Sequence, residues 1–529
     1  MKRFSIIFFI PVLLLASCKK WLNVSSTTEI VSEQQFKDVT GFRDAVVGVY
    51  VKMAKPELYS RDMTWLTVEF LSQQYAVVAS ASMLNVPLYN WNTAPLPTKR
   101  LNSWLGMYNA IANINQILKY QQENHSVFAG FPITDTLIKG EMLALRAYLH
   151  FDLMRLYGKS NLGGNPAKMN EMAIPYVTSF DKAPTAQRSY RETIDLMKKD
   201  IEEAIKLLEA DPLSRLRPST YWNAEASNNF ISTTTSGTSA INRKMRMNYW
   251  AAKALYARIL MWEGTAESKA KALPLALQVM GTSLSNSIGT GDGAYYSWVT
   301  SGGINATDKF QSDLSFVNEQ LFTLQVENLF TIQTTGTTAS NWFDASNPNA
   351  TYDVLFLSDA RMNSIFEQSN TALFATDWRK TRCLEAAGST LTNWEIRKFY
   401  NKLDMSVSYS KRIPLIRVSE MFYIAAECYL EPGANHDKTK AVACLNKVRN
   451  QRNIPASLNL DAAALTDQEV RNEITKEYLK EFIGEGQLFF YYKRQGTRFI
   501  PNYANEMTDA QYQMPMPDEE VINGGGRSN

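Results

Sequence analysis

The chain of 529 residues sets 55 basic against 52 acidic side chains and is 45% hydrophobic and 20% charged. That is the make-up of a globular protein with a large core, and it excludes an intrinsically disordered chain. Charges of both signs are mixed along the sequence, which excludes the basic stripe a nucleic-acid binder needs. Length alone suggests three or four domains at about 150 residues each. At the N-terminus Lys2 and Arg3 precede an apolar run over 4–16 that is too short to span a bilayer and has the layout of a secretory signal. No later stretch is long and apolar enough to span.

Residues 19–32 are polar without a period and read as a tether. The body starts near Phe36. Phe42, Val46, Val49 and Met53 stand at helical spacing in 36–53, with Thr40 as the expected cap. Residues 62–100 are aromatic, proline-bearing and rich in Asn and Ser, so they predict an irregular excursion from the helical body. Helix resumes over 102–122, where Trp104, Tyr108, Ile111, Ile114 and Leu118 form one face. The stretch 139–158 is apolar over most of its circumference, with Leu145, Leu149, Leu153 and Leu156 on one side and Met142, Ala144, Tyr148 and Phe151 over much of the rest. Such a helix must be surrounded by others. Gly158 is the expected left-handed stop, with Arg155 near the negative end of the dipole. Residues 190–210 predict an amphipathic partner helix, with Ile194, Met197, Ile201, Ile205 and Leu208 on its apolar side.

Two later segments repeat each other when aligned on Gly264 and Gly433. Ala257 matches Ala426, Ala272 matches Ala441, Ala276 matches Leu445 and Val279 matches Val448. Small residues at fixed spacing let paired helices approach closely, the logic of tetratricopeptide-like stacks, and the repeat favours fewer domains than length alone. Between the helical units, 218–242 and 281–352 are rich in Gly, Ser, Thr and Asn and predict loops, with one short strand over 319–328.

Catalytic sets are thin. Of the three histidines, His125 stands at a helix end, His436 in a turn, and His150 inside the apolar helix as a hydrogen-bonded core residue. Neither a metal-ligand spacing nor a phosphate loop is present, and no cofactor is implied. The acidic runs 518–520 and 202–203 supply carboxylates for a glycosidase pair but read as solvated faces. Cys383, Cys428 and Cys444 read as buried thiols, with a bridge between Cys428 and Cys444 left open. Trp104, Trp250 and Trp262 lie on helical faces and belong to the core. Trp65, Tyr75, Tyr89, Trp91, Tyr296, Trp298 and Trp342 lie instead among polar loop residues. Flat rings there, with Asn92 beside them, suit stacking on apolar sugar faces while amides bond hydroxyls. Satellite cores under long loops are the competing account of the same rings.

The ordered set Gly140, Glu141, Leu145, Arg146, Ala147, Tyr148, Phe151, Asp152, Leu153, Leu156, Tyr157 and Gly158 resembles the signature helix of the SusD/RagB family of outer-membrane nutrient-binding lipoproteins. Trp104, Tyr108, Asn109, Ile111 and Asn115 extend the resemblance. So do Glu477, Glu481, Glu485, Gly486, Lys493 and Arg494, and the Pro515-Met516-Pro517 terminus with Glu520 and Asn523. Two positions depart from it: Leu488 and Tyr491 stand where the family usually carries Arg and Asp. Leu15-Ala16-Ser17-Cys18 resembles a lipobox, which implies cleavage before Cys18 and its acylation.

The resemblance implies a mostly α fold, a tetratricopeptide-like helical-repeat scaffold carrying a loop-rich insert with small strands. It divides the chain into a signal peptide (1–17), a tether (18–35), an N-terminal helical part with the excursion (36–215), a repeat unit plus ligand-binding insert (216–355) and a C-terminal helical part (356–529). It further implies a non-catalytic, lipid-anchored protein of the outer membrane, facing the cell exterior. Such a protein binds an oligosaccharide, or alternatively an oligopeptide, and passes it to a SusC-like TonB-dependent transporter. A lipid-anchored protein-interaction scaffold is the alternative from another class. The ligand-binding residues expected are Trp91, Asn92, Tyr89, Trp65, Tyr75, Trp298, Trp342 and Tyr296, of which the resemblance raises Trp91 and Asn92 most.

Overall fold

The computed structural model describes residues 33–76, 83–214, 216–217, 220–221, 225, 243–281, 287–288, 296–306, 311–335, 341–346, 354–388, 391–399, 411–524 and 527. Cys18, the signal stretch and the Ser/Thr-rich run 231–240 lie outside them.

The first helix, α1 (Val39–Met53), buries Val39, Phe42, Val46, Val49 and Met53. Its cap is Asp38 and not Thr40: Asp38 still has extended backbone and accepts from the Gly41 amide at 2.9 Å, whereas Thr40 is already inside the helix. Helix α2 (Leu96–Glu123) begins six residues before position 102, because Pro97 sits in the first turn, where a missing amide costs nothing. Helix α3 (Pro132–Tyr157) starts early for the same reason, with Pro132 in its first turn. Every residue of α3 from Gly140 to Tyr157 is buried, as a helix apolar nearly all round requires.

Gly158 does not take the left-handed conformation. Its φ of −89° and ψ of 173° are extended. What demands glycine is space, since a Cβ there would stand 2.5 Å from the Met154 carbonyl oxygen and 3.0 Å from the Tyr190 ring.

A short antiparallel pair, β1 (Met172–Pro175) with β2 (Gln187–Ser189), leads into α4 (Tyr190–Leu207). A capping box between Ser189 and Glu192 starts α4, which buries Ile194, Met197 and Ile201 on one face. The two repeats are the helix pairs α5 (Tyr249–Glu263) with α6 (Ala266–Met280), and α7 (Val418–Tyr429) with α8 (Lys438–Gln451). Their matched small and aliphatic residues, Ala257/Ala426, Ala272/Ala441, Ala276/Leu445 and Val279/Val448, are all buried. The caps differ. Gly264 ends α5 in the left-handed conformation at φ 72°, while α7 is capped at Leu430 and Gly433 lies beyond it in the turn. Helices α9 (Asp467–Glu481) and α10 (Leu488–Gln495) complete the set.

From α1 to α10 each helix packs on the next. This includes α6 on α7, although some 137 residues separate Met280 from Val418, so the insert is extruded from a continuous stack and does not interrupt it. In the insert, β3 (Gln320–Gln325) forms over the predicted strand and pairs antiparallel with β7 (Arg412–Arg417). A three-stranded antiparallel sheet in the order β4 (Phe356–Ser358), β6 (Asn393–Ile396), β5 (Leu384–Ala387) was not predicted. One hydrophobic core runs from Phe36 to Met516, with satellite clusters around Phe316 and Phe356 in the insert. Cys383, Cys428 and Cys444 are buried free thiols, which closes the question of a Cys428–Cys444 bridge, and burial pushes each up to about 12. No helix among the described residues is long and apolar enough to cross a membrane.

Candidate functional site

The polar residues that mark the signature helix are all tied inside the protein. Glu141, fully buried, meets Arg243 at 2.5 Å and Arg246 at 2.7 Å and accepts from the Tyr50 hydroxyl. Burial works to raise its pKa, but the two guanidinium groups outweigh it and hold the carboxyl below its ordinary value. Arg146 forms a bidentate pair with Asp200 at 2.7 Å, and the Tyr176 hydroxyl also donates to Asp200. Asp152 accepts from Tyr59 at 2.7 Å and from Arg155 at 2.8 Å.

The carboxylates of the C-terminal signature form a larger network. Glu477 meets Arg379, Glu481 meets Arg417 and Arg452, Glu485 meets Lys398, and Arg452 reaches Glu319, each at 2.6 Å and all buried. Burial works to raise the Glu477 and Glu481 carboxyls, but the arginines around them outweigh it and hold both below the ordinary value.

The acidic runs also have ordinary partners: Glu203 pairs with Lys139, Glu202 with the Tyr256 hydroxyl, and Glu520 with Arg527. His150 is buried and stacked on Tyr176 at 3.9 Å. Its Nε2 accepts from the Val177 amide, so Nδ1 carries the hydrogen and donates to the Arg146 carbonyl, and burial pushes the imidazole pKa down to about 3. Among the described residues no three His, Cys, Asp or Glu side chains are placed to hold a metal ion.

The seven aromatic rings expected to meet a ligand are buried. Trp65 donates its indole N–H to the Ser60 carbonyl at 2.7 Å and packs on Phe343, and Tyr75 donates to the Trp65 carbonyl. Tyr89 donates to the Leu71 carbonyl at 2.7 Å, and Trp91, 9% exposed, donates to the Ala510 carbonyl at 2.8 Å. Trp342 donates to the Thr335 carbonyl, the Tyr296 hydroxyl accepts from Asn248, and Trp298 lies against Phe422 with the Arg452 guanidinium over its ring. Turns supply main-chain carbonyls at the right distance for an indole N–H or phenol O–H, so Trp65, Tyr75, Tyr89, Trp91 and Trp342 are buried with their donors satisfied, whereas the Trp298 indole N–H is buried without a partner. Many polar neighbours, Thr64, Thr67, Gln73 and Gln74 among them, are buried with the rings, while Asn90 and Asn92 are exposed. Of the eight residues only Asn92 is exposed, and they divide among separate regions, with Tyr89, Trp91 and Asn92 together.

Tyr89, with Trp91 beside it, packs against a loop that the sequence did not single out. Residues 498–507 are closed by a hydrogen bond from the Met507 amide to the Arg498 carbonyl at 2.7 Å and by an Arg498–Glu506 ion pair at 2.6 Å. Asn502 ties the loop to the excursion through the Gln73 carbonyl at 3.1 Å, and Tyr503 stands edge-on to Tyr89 with centroids 5.1 Å apart. The same loop carries Phe499, 66% exposed. Asn90 and Asn92 are exposed on the excursion side. The two segments, tied through Asn502 and Tyr503, form a rim that carries exposed Phe499 and half-buried Tyr503 on the loop and exposed Asn90 and Asn92 on the excursion. Its signal was the same in kind, since Phe499, Pro501, Asn502 and Tyr503 repeat the mixture of ring, proline and amide seen at 85–92.

Residues 20–235 match a family model described as "Starch-binding associating with outer membrane", and residues 277–523 match the "SusD family" model. The chain belongs to the SusD family. A curated SusD-like protein of Formosa agariphila is 29% identical to this SusD-family chain over 209 residues, 39% of this chain and 38% of that protein, so the match spans under two-fifths of the relative's length. The fold is that of a SusD superfamily protein from Bacteroides thetaiotaomicron, with a TM-score of 0.67 at 20% identity over 92% of this chain and 98% of the other. It is also that of surface glycan-binding protein A from the same organism, at 0.62 and 15% over 93% and 98%, and of a SusD-like carbohydrate binding protein from Bacteroides vulgatus, at 0.61 and 16% over 92% and 97%. At the two positions that depart from the family pattern, packing takes the place of polar contact. Leu488 is fully buried, and Tyr491 stacks on Tyr478 at 4.0 Å and shares a hydrogen bond with Thr475.

Proposed function

We propose that this SusD-family protein captures a glycan without altering it, at the rim formed by Phe499, Tyr503, Asn90 and Asn92, and passes it to a TonB-dependent transporter while anchored in the outer membrane through acylated Cys18. The observation that carries the reading is an exposed ring and exposed amides on two segments joined by the Tyr89–Tyr503 contact, in a fold shared with proteins named for binding glycans. A sugar's apolar face gains dispersion and buried area against a ring, and amides bond paired hydroxyls. Tyr89 and Trp91 act beneath the rim by holding Tyr503 in place. Carboxylates neutralised by buried arginines, and a histidine that stays neutral, support binding over catalysis.

The test is to screen the soluble chain lacking residues 1–18 against glycan and peptide panels by calorimetry, with chromatography of the recovered ligand. The reading predicts a glycan hit, recovered chemically unchanged and weakened by Trp91→Ala. Cleaved glycan, or peptide hits alone, would contradict it. For the anchor, Cys18→Ser should release the protein from membranes, and its continued sedimentation with them after a carbonate wash would contradict acylation at that residue.

A further inference from the structure

Net charge is missing from the rim on both of its sides. From Phe70 to Thr98 the sequence runs for 29 residues without Asp, Glu, Lys, Arg or His, where the chain's overall 20% charged would place about six, so neutrality belongs to the excursion and not to the protein at large. The charges that bound this run are engaged within the protein: Glu69 is buried against the Gly486 amide, and Lys99 meets Asp62 at 2.5 Å. On the loop, 499–505 is uncharged as well. Asp509, next to the Ala510 carbonyl that holds Trp91, bonds Lys168 at 2.6 Å.

The two ends of the loop carry opposite charges. The Arg498 guanidinium lies 5.8 Å from the centroid of the Phe499 ring, so a sugar stacked on that ring meets it. Glu506 accepts from Arg498 Nε at 2.6 Å, and this bond holds the Glu506 carboxyl below its ordinary value, so both groups are ionised at neutral pH and their charges cancel. A ligand is left with rings and amides, since Asn90, Asn92 and Asn505 are exposed as Phe499 is. Amides serve hydroxyls both as donor and as acceptor, whereas a carboxylate or sulfate ester needs a free guanidinium or ammonium to replace the water it gives up. We infer, resting on the reading that the rim is the glycan site, that its ligand is an uncharged glycan, and that Glu506 sets this preference by cancelling Arg498, so that chains bearing uronic acid or sulfate are rejected.

The probes are paired hexasaccharides that differ at C6, hexose against hexuronic acid, in the gluco, manno and galacto series, titrated by calorimetry into the chain lacking residues 1–18. The wild type should bind a hexose chain at least about tenfold more tightly than its hexuronic partner. Its affinity should change by less than about twofold between about 0.05 and about 0.5 M sodium chloride, because no ion pair is there to be screened. Glu506→Gln keeps an acceptor for Arg498 and removes the opposing charge, so it should raise affinity for the hexuronic chain about tenfold, a gain that high salt abolishes. Arg498→Gln leaves Glu506 alone and should show no such gain; a gain there would report a loosened loop and overturn the role of Glu506. Hexuronic chains bound as tightly as their partners by the wild type, and weakened by Phe499→Ala/Tyr503→Ala, would overturn the inference while keeping the rim. Binding that the double change leaves unaltered, or no binding in any series at millimolar ligand, would overturn the rim and the inference with it.

Discussion

The aromatic excursion and the carboxylate-rich C-terminal unit both fasten irregular chain to the helical stack, and they use different physics. The excursion is held by rings: Trp65, Tyr75, Tyr89 and Trp91 are buried, and each gives its one polar hydrogen to a main-chain carbonyl. The C-terminal unit is held by charges: Glu319, Glu481 and Glu485 bind Arg417 and Arg452, and all five are buried. Rings contribute area and tolerate changes of pH. Buried ions contribute geometry, and losing one partner leaves the other charge stranded. The two fastenings meet at Glu69, whose Oε1 accepts from the Gly486 amide at 2.7 Å and which lies close to Lys398 and Glu485.

Removing one ion should do the greatest damage. Arg452→Met takes from Glu319 both of its guanidinium hydrogen bonds and leaves Glu481 to Arg417 and Arg379, and is expected to cost about 4 kcal/mol in chemical denaturation, with Arg452→Lys restoring little because an ammonium lacks the forked geometry. Trp65→Ala is expected to cost about 3 kcal/mol through lost burial and a cavity, with no change in pH dependence. Equal pH profiles for wild type and Arg452→Met would erase the distinction.

The pH profile itself is the next test. Burial would raise the Glu477 carboxyl, but Arg379 and Lys480 hold it down to about 2, so its contribution is present above the unfolded value near 4.5 and lost as pH falls toward 2. Glu69 runs the other way. Burial raises it to about 8 against the amides of Gly486 and Gly484, so its contribution is present below pH 4.5 and lost as pH rises through 8. Glu69→Gln keeps an acceptor for the Gly486 amide and should remove this loss of stability as pH rises from 4.5 to about 8. An unchanged alkaline slope would contradict this role.

The smallest effect belongs to the scaffold that both fastenings share. Gly48 lies inside α1 with nothing within 4 Å of an added Cβ, so Gly48→Ala should raise stability by about 1 kcal/mol and leave the pH profile as it was.

The stack was legible because period and small-residue spacing are local: the all-round apolar helix became α3, and the Ala/Ala matches became the two repeats. Strand β3 was legible from its length and residues, whereas β4, β5 and β6 are three or four residues long and carry too little pattern. The rings of 62–100 were misread because composition does not say which way a side chain in a turn points, and a carbonyl partner such as that of Ala510 for Trp91 lies 419 residues away. Separation along the chain also hid the partners of Glu477 and Glu481. The resemblance marked these carboxylates, while Arg379 and Arg417 come from the insert, 98 residues from Glu477 and 64 from Glu481 in sequence.

The most direct test of the binding account is the affinity of the best glycan for Phe499→Ala/Tyr503→Ala, measured by calorimetry beside the wild type at equal thermal stability. The rim predicts a loss of at least about tenfold with the stack intact. Unchanged affinity would place the glycan elsewhere on the molecule.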